Sequence, residues 1–229
     1  MKPIISFCSQ CKGRKHHIEK TLLHNLSILE NVDGTDFVLL DFDSPDGLEE
    51  YILENFQKYL KSGKLKYHKI HNQPYYYQSA VKNLSHNLST GENMVNVDAD
   101  NYLSKEYVSK VIDVFKENKN VFIFTITTDP NDFNLYGRIG ISRNIFELIK
   151  GYDEFFEHWG GEDTDLIRRV KNLSKEMKIN IVKLSSKNVG TFEPHERNQR
   201  KQFRTEKVNI YESPKKITSR YYGKFGKSK

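Results

Sequence analysis

Three acidic clusters carry the chemistry that this chain could do. The first is Asp98-Ala-Asp100 in NMVNVDADN, at the end of an apolar run. In extended chain, residues two apart leave on the same side, so both carboxylates would face one space. Such a pair of hard oxygen donors suits Mg²⁺ or Mn²⁺, whose other ligands are usually water and substrate phosphate. A plain polar turn is the competing reading. The second cluster, Asp41-Phe-Asp43 in DFDSPDG, ends another apolar run. Asp43 could accept hydrogen bonds from a nucleobase or a ribose, although Ser-Pro-Asp-Gly is also ordinary turn and helix-start chemistry. The third is HWGGEDTDL, where Trp159, the one Trp of the chain, precedes Gly160, Gly161, Glu162, Asp163 and Asp165.

That third cluster makes a sound helix start. Acids in the first turn complement the helix dipole, Asp165 can pair with Arg168 or Arg169, and Leu166, Ile167, Val170 and Leu173 form an apolar stripe. A helix start does not require Trp159 or two glycines. Glycines allow close backbone approach to a ligand, and a flat aromatic beside carboxylates is a seat for a sugar ring. His195, in TFEPHERNQR, is by default a surface residue; beside Asp100 its imidazole would favour Mn²⁺ over Mg²⁺. Cys8 and Cys11 have the C-x-x-C spacing of a redox pair between a strand and a helix, or are two incidental reduced thiols. A zinc site with His16 and His17 fails on ligand spacing.

The elements that must position these residues alternate. Strands are expected over 3–8, 36–42, 65–70, 93–98, 121–126, 138–142 and 179–184. Helices are expected over 15–30, 47–61, 78–89, 105–117, 143–150 and 162–174. This order makes βαβ units and a largely parallel α/β sheet, in which ligands lie outside the carboxyl ends of the strands. All three acidic clusters fall at such ends.

The chain has 229 residues, 37% hydrophobic and 29% charged, enough for one large domain with a real core. Residues 1–212 read as that single domain. The segment 213–229 holds six basic residues and no acid, which equals the net charge of +6. It reads as a solvated terminus, or as a tether to an anionic membrane surface or polymer; no specific nucleic-acid partner is expected. No run has the length of a bilayer span and no signal-peptide pattern opens the chain, so the expected location is cytoplasmic, with membrane contact limited to that tail. Asn-x-Ser sequons at Asn25, Asn83, Asn87 and Asn172 carry no weight without an export signal.

Together these pieces resemble a nucleotide-sugar glycosyltransferase of the GT-A (Rossmann-like) fold, a mixed, mostly parallel sheet flanked by helices. VLLDFDSPDG and SAVKNLSHNLSTGENMVNVDADN resemble glycosyltransferase family 2. GISRNIFELIKGYDEFFEHWGGEDTDLIRR resembles the segment of β-1,4-galactosyltransferases and polysaccharide polymerases that ends in a WGGED box. The resemblance runs over about residues 3–200. It implies a metal-dependent, inverting transferase that moves galactose, N-acetylgalactosamine, glucose or N-acetylglucosamine from a UDP-sugar to a hydroxyl of a glycan or glycoconjugate. By the same resemblance Arg14, Asp43, Lys82, Asn83 and Asp98 border the nucleotide, and Asp100 and His195 hold Mn²⁺ (or Mg²⁺). Asp163 is the catalytic base, and Trp159, Gly160, Gly161 and Glu162 bind substrate. The Met that precedes the metal-binding His in animal galactosyltransferases is missing, since Glu193 and Pro194 stand there. Two other functions fit the residues: a GT-A protein that binds nucleotide or carbohydrate without turnover, and a thiol redox protein working through Cys8 and Cys11. As a base, Asp163 is expected to have an ordinary carboxylate pKa, near ~4.

Overall fold

A computed structural model describes residues 4–126, 137–156, 160–185 and 189–191. Seven strands form one sheet in the order β3-β2-β1-β4-β7-β6-β8. They are β1 (Ile5–Cys11), β2 (Thr35–Phe42), β3 (Leu65–Ile70), β4 (Asn93–Asn96), β6 (Val121–Ile126), β7 (Ile139–Ser142) and β8 (Asn180–Ser185). β1 pairs in parallel with β2 and β4, and β2 with β3. β7 runs antiparallel between β4 and β6, and β6 and β8 are parallel. The sheet is therefore mixed and mostly parallel, as expected. A two-stranded antiparallel ribbon, β5 (Asn101–Leu103) with β9 (Val189–Thr191), has no counterpart in the periodicity, because three residues are too few to show one.

Helices cover both faces. α1 (Lys15–Leu29), α2 (Leu48–Asn55), α3 (Gln57–Ser62) and α5 (Lys105–Glu117) pack on the face that carries Ile5, Phe7, Phe37 and Leu39. On the other face, α6 (Arg143–Leu148) and α7 (Glu162–Leu173) pack against Cys8, Val38, Phe122 and Ile141. α4 (Gln78–Leu88) closes that same face over Leu40 and Phe42 through Val81 and Leu84. Alternate strand residues thus feed separate cores, as the two-residue period requires.

The helix expected over 47–61 is two helices. Phe56 leaves helical geometry at φ −118°, ψ 20°, which buries its ring against Tyr51 at 5.6 Å between centroids. The redox reading of Cys8 and Cys11 fails on the same alternation that builds the sheet. β1 extends through Cys11, so the two cysteines, three residues apart, face opposite cores. Both are buried, and burial pushes both thiols up to about 12. Neither can attack as a thiolate or reach the other. No described helix is long and apolar enough to cross a membrane.

Candidate active site

The site is assembled at the carboxyl ends of β1, β2 and β4, around the point where the sheet order reverses between β1 and β4. Its floor is a buried amide network. Gln10 Nε2 donates to Ser85 Oγ (2.7 Å) and Asn96 Oδ1 (2.9 Å). Asn96 Nδ2 in turn donates to Asp98 Oδ1 (3.1 Å) and to the carbonyl of Gly137 (2.8 Å). β4 was expected to run to Asp98 and stops at Asn96. Residues 98–101 form a turn closed by Asn101 N–H to the Asp98 carbonyl (2.9 Å). Asp98 and Asp100 are consequently not an extended pair on one face. They are two half-buried carboxylates on a turn, each with one oxygen steadied by an asparagine amide: Asn96 for Asp98, and Asn101 Nδ2 at 2.8 Å for Asp100.

α1 holds that turn by its backbone. Thr21 Oγ donates to the Ala99 carbonyl (2.8 Å), Asn25 Nδ2 to the Asn101 carbonyl (2.9 Å), and Leu103 N–H to Asn25 Oδ1 (2.7 Å). Asn25 is therefore a buried structural residue despite its sequon.

At the end of β2, Asp43 has φ +61° and its Oδ2 accepts from the Gln73 N–H at 2.9 Å. Lys12 Nζ gathers three carbonyls there, those of Phe42 (3.1 Å), Asp43 (2.7 Å) and Gln73 (2.6 Å). Asp41 is fully buried, accepting from Ser44 N–H and Tyr67 Oη, both at 2.7 Å. Arg14 is the N-cap of α1, half-buried. Tyr76 stands edge-on to Phe42, 6.3 Å between centroids. Its hydroxyl lies in the fields of Arg14, Lys82 and Asp98, while burial raises its pKa.

The third acidic cluster divides among three tasks. Gly160 and Gly161 have φ +102° and +91°, a backbone that side chains rarely adopt, so the glycines are required by the turn into α7 itself. Glu162 is 3% exposed. Its Oε1 accepts from Lys82 Nζ at 2.9 Å and its Oε2 from the Gly160 N–H at 3.1 Å. Asp163, 17% exposed, accepts from Lys82 Nζ at 2.8 Å. Asp165 is buried against Arg169 Nε at 2.7 Å, and Arg169 grips the carbonyls of Ile149 and Gly151. The pairing open in the sequence between Arg168 and Arg169 thus falls to Arg169.

Gly137 brings the clusters together. A Cβ placed on it would meet Asp98 Oδ2 at 3.1 Å and Asp163 Oδ2 at 3.3 Å, so the two carboxylates face each other across this glycine. Asp163 departs from the ordinary pKa expected for it. Burial pushes its carboxyl up to about 7, Glu162 and Asp98 add to the rise, and Lys82 opposes it.

Lys82 and Asn83 point at protein partners. Lys82 is 1% exposed and lies 5.2 Å over the Tyr152 ring. Asn83 donates to the Tyr152 carbonyl and Glu154 Oε1, both at 2.9 Å, and accepts from Tyr152 N–H at 2.8 Å. Among the described residues no group of three metal-ligating side chains is assembled. Trp159, His195 and the basic segment 213–229 lie outside the described residues. Lys12, Gln10, Asn96, Gly137 and Tyr152 went unnoticed in the sequence. Only Lys12, one residue past β1, carried a positional signal.

The fold is shared with solved structures. A mannosyltransferase from Pyrobaculum calidifontis, in complex with GDP-Man and Mn²⁺, matches with a TM-score of 0.62 at 15% identity, over 81% of this chain and 56% of that one. S. aureus TarS 1–349 in complex with UDP matches with a TM-score of 0.61 at 16% identity, over 82% of this chain and 59% of that one. Its complex with UDP-GlcNAc matches at 0.60 and 17% identity, over 85% and 59%. This is a GT-A glycosyltransferase fold. The chain spans a little over half the length of those GT-A proteins. Residues 132–196 match a family model described as the N-terminal domain of galactosyltransferase. A search of curated proteins gives no match. In GT-A terms, the described part of that matched segment contains β7, α6, Glu162 and Asp163.

Proposed function

We propose that the protein is an inverting glycosyltransferase that moves a hexose or N-acetylhexosamine from a UDP-sugar to a hydroxyl of a glycan or glycoconjugate. The observation that carries this is the pairing across Gly137: Asp98 from the nucleotide side and Asp163 from the start of α7 face one space at the strand ends. The similarity to structures bound to a nucleotide or a nucleotide sugar, and to the galactosyltransferase family model, supports it.

In this reading Asp163 is the base. It takes the proton of the acceptor hydroxyl as that oxygen attacks the anomeric carbon in line, on the face opposite the departing diphosphate. A carboxyl poised at about 7 is matched to accepting a proton near neutral pH. Arg14, Asp43 and Asp98 border the nucleotide. Trp159 would stack on the acceptor, and Gly160 and Gly161 shape the turn into α7. The two carboxylates on the 98–101 turn fit a hard divalent cation by donor type and exposure. Asp100, with His195, would hold Mn²⁺ or Mg²⁺, which when bound supplies neutralising charge to the UDP leaving group. The protein's own share is to fix these groups before substrate arrives.

Incubation with a panel of UDP-sugars, Mn²⁺ and candidate acceptors, followed by UDP release, tests the reading. Release from at least one donor is expected. No release, even by slow hydrolysis, with no metal-dependent UDP binding, rejects it. Asp163→Asn, which retains an oxygen for Lys82, should abolish transfer and leave UDP binding intact.

A further inference from the structure

Lys82 and Glu162 stand where the resemblance puts a nucleotide contact and a sugar contact. The geometry gives them other partners. The ammonium of Lys82 is buried among two carboxylate oxygens, at 2.9 and 2.8 Å, and the face of Tyr152. Both oxygens of Glu162 are taken, one by Lys82 and one by the Gly160 N–H. Within this trio Asp163 has the most exposed side chain, 17% against 3% and 1%.

We infer that Lys82 and Glu162 are positioning residues that act through Asp163 and touch neither nucleotide nor sugar. With Asp163 ionised, two carboxylates and one ammonium leave a single negative charge, and among these three side chains the Asp163 carboxylate is the one that reaches furthest toward solvent. Asp163 stands at the second residue of α7, behind two left-handed glycines, where a free carboxylate would sample several rotamers. The bond from Lys82 selects one of them, with Oδ1 on the lysine and Oδ2 toward Gly137. Glu162 fixes the lysine in its turn and, through Gly160, ties the entry of α7 to α4. Asn83, the next residue of α4, anchors Tyr152 by its backbone N–H and carbonyl and so seats the ring behind the ammonium. A buried cation with satisfied partners on every side costs too much to extract for direct service to a phosphate.

This inference rests on the transferase reading, and its test separates the two. Lys82→Gln and Glu162→Gln are compared with the parent by calorimetric UDP affinity with Mn²⁺, and by steady-state kcat and KM for donor and acceptor. Both variants should keep UDP affinity and both KM values within about threefold. Their kcat should fall on the order of 10²-fold, the loss expected from a misplaced reacting group. A tenfold weaker UDP affinity in Lys82→Gln, or a tenfold higher sugar KM in Glu162→Gln, with kcat kept at saturation, overturns the inference. Glu162→Gln keeps volume and an acceptor for Lys82, so it decides the matter if Lys82→Gln does not melt cooperatively. A parent that releases no UDP from any donor sinks the transferase reading first; the UDP affinities then still decide whether Lys82 is a nucleotide ligand.

Discussion

His86 provides a sharp test of how this site is supported. It lies on α4, one turn beyond Lys82, fully buried, with its ring stacked on Phe146 (5.1 Å, 15°) and edge-on to Tyr152 (5.9 Å). Nδ1 faces the Lys82 carbonyl at 2.8 Å, so it carries the proton; Nε2 is buried without a hydrogen-bond partner among the described residues. Burial pushes the imidazole down to about 3, and the cations of Lys82 on α4 and Arg143 on α6 push the same way against the carbonyl. A folded pKa below the unfolded value of about 6.5 means that the unfolded chain takes up the proton first. The contribution to stability is therefore complete above about pH 6.5 and is lost as pH falls toward 3. The loss is about 2 kcal/mol by pH 5 and about 4–5 kcal/mol once pH is below both values. His86→Phe keeps a flat ring on Phe146, costs nothing at Nε2, and forfeits one hydrogen bond of about 1 kcal/mol at every pH. Urea unfolding followed by circular dichroism, at intervals from pH 8 to 5, gives the stability of both proteins. The difference between them should be flat above pH 7 and then shift by about 2 kcal/mol in favour of the variant by pH 5. The raised pKa of Asp163 acts in the opposite direction, but in both proteins, so it cancels from the difference. Parallel curves from pH 7 to 5 would refute the argument, because the imidazole would then be protonated in the folded state or open to water.

Gly137→Ala should fold, since the nearest atoms to its Cβ among the described residues belong to the carboxylates of Asp98 and Asp163; it should lose on the order of 10-fold or more in kcat, measured as UDP release, by forcing those groups apart. Cys8→Ser with Cys11→Ser should leave turnover unchanged, and thiol titration of the native parent should be slow until denaturant is added, because both thiols are buried. Arg169→Leu leaves Asp165 charged and unpaired and frees the Ile149 and Gly151 carbonyls, so chemical denaturation should show about 3–5 kcal/mol of lost stability.

Periodicity made most of the fold legible. The helix over 105–117 and the strands over 65–70 and 121–126 match α5, β3 and β6 residue for residue: α5 repeats its buried residues at helical spacing, and β6 is a continuous apolar run that is buried almost throughout. Strand direction was not legible. RIGIS reads as a strand either way, and that β7 runs antiparallel between β4 and β6 follows from its place in the sheet. The C-x-x-C pair was misleading for a related reason. The spacing belongs to a strand–helix junction, but β1 continues through Cys11, and one extra turn of pleat puts the thiols on opposite faces.

The same limit governs the site. Local pattern showed that HWGGEDTDL holds more acid than a helix start needs, yet it could not show which acid has which task. Task is set by partners far away in sequence: Lys82 lies 80 and 81 residues from Glu162 and Asp163, whereas the partner of Asp165 is one helical turn on. Where the partner was local, the sequence narrowed the pairing to two arginines. Where it was distant, resemblance filled the gap with ligand contacts, and buried lysine geometry points elsewhere. Of the three acids that open α7, the one the proposed mechanism uses, Asp163, is the least completely buried. Its neighbours are used up, Glu162 on Lys82 and Gly160, Asp165 on Arg169. In the proposed transferase, one negative charge is presented at a defined point among acids already committed: Glu162 anchors α4 and the entry of α7, and Asp165, through Arg169, anchors the turn after α6.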